Sequence, residues 1–144
     1  PPPPPPPPPL FFSTPTPASA MLRSLVGSEM CIRDSSQAIQ AGNMVFVSGQ
    51  IALHPETNEI PEDFTAQCHQ VLKNLQAILE ASGSSLEHTV KVMIYMTDID
   101  RFNEFNEIYA GYLGSAKPAR ACVEVSRLPK GVLVEMDAVA LIGE

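Results

Sequence analysis

The sequence predicts an α+β fold, with one mixed sheet carrying two helices on one face, in the order β-β-α-β-α-β-β. Three observations carry this expectation. Short alternating runs rich in valine and methionine lie at 36–50 and again at 117–141. Two longer stretches, beginning near Asp63 and Arg101, repeat apolar residues at helical spacing. Between them, Thr89 to Thr97 is apolar on both faces apart from Lys91, which suits an interior strand.

A chain of 144 residues is long enough for one domain with a real core. Residues 1–34 read as lying outside it. Pro1 to Pro9 is a polyproline II tract, of the kind SH3-like domains bind, and Leu10 to Ala20 adds no periodicity. A transit peptide fits poorly, because Arg23 and Arg33 stand alone as basic residues beside Glu29 and Asp34. The run from Leu25 to Asp34, Leu-Val-Gly-Ser-Glu-Met-Cys-Ile-Arg-Asp, resembles a translated sequencing-adaptor frame. The tail is therefore read as an assembly scar that makes few contacts, and Cys31 as part of it. The foldable domain spans 35–144.

Ser36 to Gln40 is a first strand. Ala41-Gly42-Asn43 is a turn in which glycine permits a positive φ, and Met44 to Gln50 returns as a second strand. Ile51 to Glu62 is a loop. The first helix runs from Asp63, a natural N-cap, to Ser82, with Gly83 ending it. Phe64, Cys68, Val71, Leu72, Leu75, Ile78 and Leu79 form its buried stripe, so Cys68 is a small core hydrophobe. The second helix follows Asp98 or Asp100 as cap and runs from Arg101 to Leu113, burying Phe105, Tyr109 and their neighbours. Lys117 to Val139 then reads as an antiparallel hairpin around Leu128-Pro129-Lys130-Gly131. Its first strand puts Arg120, Cys122 and Glu124 on one face. On the second strand Glu135 points away from Val134, Met136 and Ala138. With the turn near Pro129, Glu135 is expected opposite Cys122, so that an arginine, a thiol and a carboxylate converge.

Charge and cysteine usage exclude several classes. A net charge of -7 disfavours binding to nucleic-acid phosphates. Three widely spaced cysteines point to a reducing compartment rather than a disulfide framework. No apolar run approaches membrane-spanning length. His54, His69 and His88 lack ligand spacing, so neither a metal nor a cofactor is expected.

Arg120 can hold a carboxylate with two parallel hydrogen bonds, or simply form a salt bridge. Glu135, amid valines and methionine, must be paired with Arg120 or Arg127, or else have a raised pKa. Glu124 reads as a second, structural carboxylate. Cys122 has no nearby histidine to deprotonate it and reads as a wall residue. Taken alone, Ser48 reads as a hydroxyl satisfying the backbone, and Asn106 as a surface or cap amide.

Pro118-Ala119-Arg120-Ala121-Cys122-Val123-Glu124-Val125, followed by Leu128-Pro129 and Val134-Glu135-Met136, resembles the signature of the RidA (YjgF/YER057c/UK114) family. The resemblance runs from about Ser36 to Leu141. It implies a chorismate-mutase-like fold, a homotrimer with sites between subunits, and hydrolysis of 2-imino acids without a cofactor. By this resemblance Arg120 grips the substrate carboxylate and Glu135 orients the attacking water, while Ser48, Gly49, Asn106 and Cys122 shape the pocket. Two other activities stay open, a ribonuclease or translation inhibitor and a non-enzymatic binding trimer. The expected compartment is the cytoplasm, with the mitochondrion as the alternative. The chain departs from the family in one place. Where a Gly-Pro-Tyr supplies a pocket tyrosine, it reads Arg33-Asp34-Ser35.

Overall fold

The computed structural model describes residues 1–3 and 36–143. Residues 4–35, with Cys31, the adaptor-like run and position 35, lie outside the described residues. β1 (Ala38–Ala41) and β2 (Met44–Gln50) form a hairpin whose turn holds Gly42 at φ 63. α1 (Phe64–Ala81) follows, then β3 (Thr89–Met96), α2 (Phe102–Leu113), β4 (Ala119–Glu124) and β5 (Val134–Leu141). The five strands make one mixed sheet in the order β1-β2-β5-β3-β4. This is the α+β architecture expected from the hydrophobic patterning.

Helix boundaries follow local chemistry. The Asp63 carboxylate accepts from the Ala66 N–H at 3.0 Å and starts α1, and Ser82 closes it. Asp98 caps not α2 itself but the short turn of 3-10 helix at Ile99–Arg101, accepting from the Asp100 N–H. Glu124 holds the same turn by accepting from the Ile99 N–H at 3.0 Å, which makes it the structural carboxylate anticipated. Leu72, Leu75, Ile78 and Leu79 of α1 and Phe105 and Leu113 of α2 are fully buried. They pack with Val92, Ile94, Val134 and Met136 from one sheet face into a single core. Cys68 is fully buried there, and burial pushes its thiol up to about 12.

The expected hairpin between β4 and β5 does not form. Both strands exist and Pro129–Gly131 does turn, with Lys130 at φ 57. But β3 lies between them, antiparallel to β5 and parallel to β4. A strand buried in the interior must pair its backbone N–H and C=O groups along both edges, and β3 does so with these two. Glu135 therefore lies across the ladder from Tyr95, while Cys122 is opposite Ile94.

That register fixes the two faces. Arg120, Cys122 and Glu124 share a face with Val92, Ile94 and Met96, under the helices. Glu135 shares the open face with Tyr95, Asp137 and Val123. Phe46, Val123 and Leu141 on that open face remain 43%, 40% and 38% exposed, so the face carries large apolar side chains that no helix covers.

Candidate active site

Within one subunit the six expected site residues fall into two groups. The first is at the edge strand. Arg120 leaves β4 on the helix side, and its guanidinium lies 4.6 Å from the ring centre of Tyr109 and 5.3 Å from that of Phe102. Cation–π attraction to two rings restrains a long side chain without consuming its five donors. The fork is left facing a cleft of about 260 Å³ lined by Asn106, Tyr109, Leu113, Lys117, Pro118 and Arg120. The structure thus gives Asn106, which the sequence alone reads as a cap amide, a place beside the arginine. The Tyr109 hydroxyl is buried there without a hydrogen-bond partner among the described residues. Burial raises its pKa, opposed by the Arg120 charge.

Cys122 sits two residues along the same face, half-buried, with its thiol directed to the Met96 sulfur at 3.4 Å. Desolvation raises its pKa and Arg120 only partly offsets this, so the thiol stays protonated and uncharged near neutral pH. That suits a wall residue rather than a nucleophile.

The second group is on the open face. β2 and β5 lose regular pairing between Val47 and Gln50, and at that irregularity stand Ser48 and Gly49. A methyl group on Gly49 would overlap a Glu135 carboxylate oxygen and lie 3.1 Å from its Cδ. Gly49 therefore makes the room in which the Glu135 carboxylate lies against β2. The Ser48 hydroxyl donates to the Ser36 carbonyl at 2.5 Å, and the Ser48 N–H to the Gln37 carbonyl. This ties the start of the domain to the site and is the backbone-satisfying task the residue itself suggested.

The half-buried Glu135 has its carboxyl pKa raised, first by desolvation and then by the charge of Asp137. This is the raised carboxyl pKa expected of a glutamate on an apolar strand, and no arginine pairs with it among the described residues. Asp137 is raised as well, again first by desolvation, with the Tyr95 hydroxyl and Lys91 pulling it down. Tyr95 donates to Asp137 at 3.2 Å.

The expected convergence of arginine, thiol and carboxylate on one sheet face is thus corrected. Arg120 and Cys122 do come together, but Glu135 is on the opposite face with β3 between. Sequence reasoning also missed Tyr95, Asp137 and the Phe102–Tyr109 cradle. Alternation alone places Asp137 beside Glu135, whereas the cradle depends on how α2 lies over β4. No group of three His, Cys, Asp or Glu side chains among the described residues is arranged to hold a metal ion. No helix among them is long and apolar enough to cross a membrane.

Comparison with known proteins supplies the family. The family model described as Endoribonuclease L-PSP matches residues 29–142. A RutC family protein of Pyrococcus horikoshii is 54% identical over 106 residues, covering 73% of this chain and 84% of the relative. Among solved structures, YyfA of Yersinia pestis, described as a protein of unknown function of the conserved Rid protein family, superposes with a TM-score of 0.78 at 40% identity. It covers 83% of this chain and 94% of that one. TdcF of E. coli, solved with bound serine, has a TM-score of 0.71 at 39% identity, over 75% of this chain and 87% of that one. With a matching family model, relatives of this similarity and the same mixed sheet under two helices, the chain belongs to the RidA (YjgF/YER057c/UK114) family and has its chorismate-mutase-like fold.

Proposed function

We propose that the protein is a cofactor-independent deaminase that hydrolyses reactive 2-imino acids, such as 2-iminopropanoate and 2-iminobutanoate, to 2-oxo acids and ammonia. The observation that carries this reading is a complementary pair of groups. One is an arginine fork held against two aromatic rings at the mouth of a cleft. The other is a half-buried carboxyl with raised pKa, seated in the space Gly49 leaves. The fork matches a planar carboxylate. The carboxyl can take a proton from water and return it. A similar protein, TdcF, was solved with serine, which carries the same carboxylate and α-nitrogen arrangement as a 2-imino acid.

Glu135 orients a water towards the imine carbon and accepts one of its protons. The C–O bond forms as the C=N π electrons move to nitrogen, which takes the water proton back from Glu135. In the resulting carbinolamine the hydroxyl proton passes through Glu135 to the amino group as the C–N bond breaks, releasing ammonia and leaving the 2-oxo acid. An imine is already electrophilic, so positioning and proton transfer suffice.

Arg120 and Glu135 lie on opposite faces of one subunit, so this chemistry needs Arg120 of one copy near Glu135 of another. The exposed apolar open face supports such an assembly, and a homotrimer is the form proposed. A trimer in sedimentation equilibrium at micromolar concentration is expected, and a monomer would remove the shared site.

The test of function is an imine-hydrolysis assay coupled to a dehydratase. Arg120→Lys keeps charge but loses the paired geometry, so KM should rise strongly. Glu135→Gln should lower kcat by about 100-fold or more with carboxylate binding retained. Because Ser35 stands where the family has a tyrosine, a Ser35→Tyr variant runs in parallel. That replacement favours one second reading, a non-enzymatic binding trimer. If both forms bind a 2-oxo acid and neither accelerates hydrolysis, the binding reading replaces the enzyme. A ribonuclease, the activity in the family description, is opposed by the net charge of -7.

A further inference from the structure

Glu135 has a companion on the open face that the reaction as described does not use. Asp137 is two residues further along β5 and points to the same side. Its carboxylate accepts from the Tyr95 hydroxyl at 3.2 Å. Tyr95 stands directly opposite Glu135 on β3, so its side chain reaches diagonally from one carboxylate's partner position to the other carboxylate. Tyr95 thus fixes where the Asp137 charge sits relative to Glu135.

We propose that Asp137, held by the Tyr95 hydroxyl, is a positioning residue for Glu135, and that its fixed negative charge sets how readily the Glu135 carboxylate takes a proton from the attacking water. The role rests on the deaminase reading for its chemical purpose and on the open-face geometry for its physics.

Within one subunit four strands supply the groups around Glu135, and in the proposed trimer Arg120 of a second copy adds a positive charge. β5 contributes Asp137, and β3 contributes Tyr95 and, further along the same face, Lys91. β2 contributes the uncharged Ser48 and Gly49, and β4 the uncharged Val123. Asp137 is the negative neighbour and raises the Glu135 pKa, after desolvation. Lys91 and the Tyr95 hydroxyl both act on Asp137, favouring its charged form. The arrangement is graded. Tyr95 and Lys91 favour the ionised form of Asp137 against the desolvation that raises its pKa, and Asp137 in turn makes Glu135 a stronger base than burial alone would. Without the Tyr95 hydroxyl, Asp137 would more readily take up a proton itself and the effect on Glu135 would weaken.

The experiment follows the side-chain carboxyl NMR signals of Glu135 and Asp137 with pH, alongside the pH profile of kcat/KM for imine hydrolysis. Asp137→Asn removes the charge and keeps the shape. The Glu135 titration and the acid limb of the profile should both move to lower pH, by about half a unit or more for a unit charge two residues along the same strand face. A purely structural Asp137 would lower activity at every pH without moving the limb. A folded Asp137→Asn variant whose Glu135 titration stays in place overturns the proposal. Tyr95→Phe, which retains both carboxylates, covers the case in which Asp137→Asn does not fold. There the Asp137 titration should move up, and an unchanged one overturns the proposal. If neither the original chain nor Ser35→Tyr hydrolyses imines, the deaminase reading falls. The NMR titration still decides whether Asp137 governs Glu135.

Discussion

Replacing Gly49 by alanine should disable the site while leaving the fold nearly intact. The added Cβ would overlap the outer carboxylate oxygen of Glu135, with Cδ at 3.1 Å and Cγ at 3.5 Å. Cγ is thus at ordinary contact distance, and the conflict is confined to the end of a flexible side chain. The carboxylate must swing aside by roughly 1 Å, a misplacement that typically costs about 100-fold in rate. The stability terms are small and opposed. An off-rotamer glutamate costs about 0.5–1.5 kcal/mol. Alanine at a position without a positive φ returns about 0.4–1 kcal/mol through the unfolded chain. The net change in unfolding free energy should stay within about 1 kcal/mol, while kcat falls by about two orders of magnitude. The assays are urea unfolding and the coupled hydrolysis assay, repeated in a Glu135→Gln background. If Gly49 acts through Glu135, adding Gly49→Ala to Glu135→Gln should cost little more, because both changes remove one function. A folded Gly49→Ala variant with full turnover refutes this account. So does a fully additive double variant, which would mean that the methyl group obstructs the substrate instead.

Two further outcomes concern the fold. The Asn74 amide donates to the Ile51 carbonyl at 3.1 Å and the Leu53 carbonyl at 2.9 Å, anchoring the loop after β2 to α1. Asn74→Ala should cost about 1–3 kcal/mol, chiefly for the Leu53 carbonyl, since the Ile51 carbonyl keeps the Leu53 N–H, and this reads as a lower urea midpoint; an unchanged midpoint refutes the anchoring role. The Cys68 thiol titrates at its ordinary 9.0 when unfolded and at about 12 when folded, so its contribution is intact below pH 9 and is lost as pH rises towards 12. Stability should fall over that range by at most about 1.4 kcal/mol per pH unit from this group. Tyr95, Tyr109 and Tyr112, also raised by burial, add to the slope. Cys68→Ala should flatten it, and equal slopes in the two proteins would refute the assignment.

The sequence by itself determined what depends on near neighbours. Asp63 capping α1, Gly42 turning β1 into β2, and the apolar stripe of α1 all follow from spacings of a few residues. The pattern from Pro118 to Met136 also pointed to the family to which the chain belongs. Strand partnership was beyond it. Alternation specifies which residues of a strand share a face, but not which strand lies alongside. Only the packed structure shows β3 filling the gap between β4 and β5. That one insertion sends Arg120 and Glu135 to opposite sides of the sheet. It places Tyr95 opposite Glu135 and within reach of Asp137, and it leaves α2 to lay Phe102 and Tyr109 beneath the Arg120 guanidinium. These contacts join residues distant along the chain, and they are set by how the helices and strands share one core, which no local spacing records.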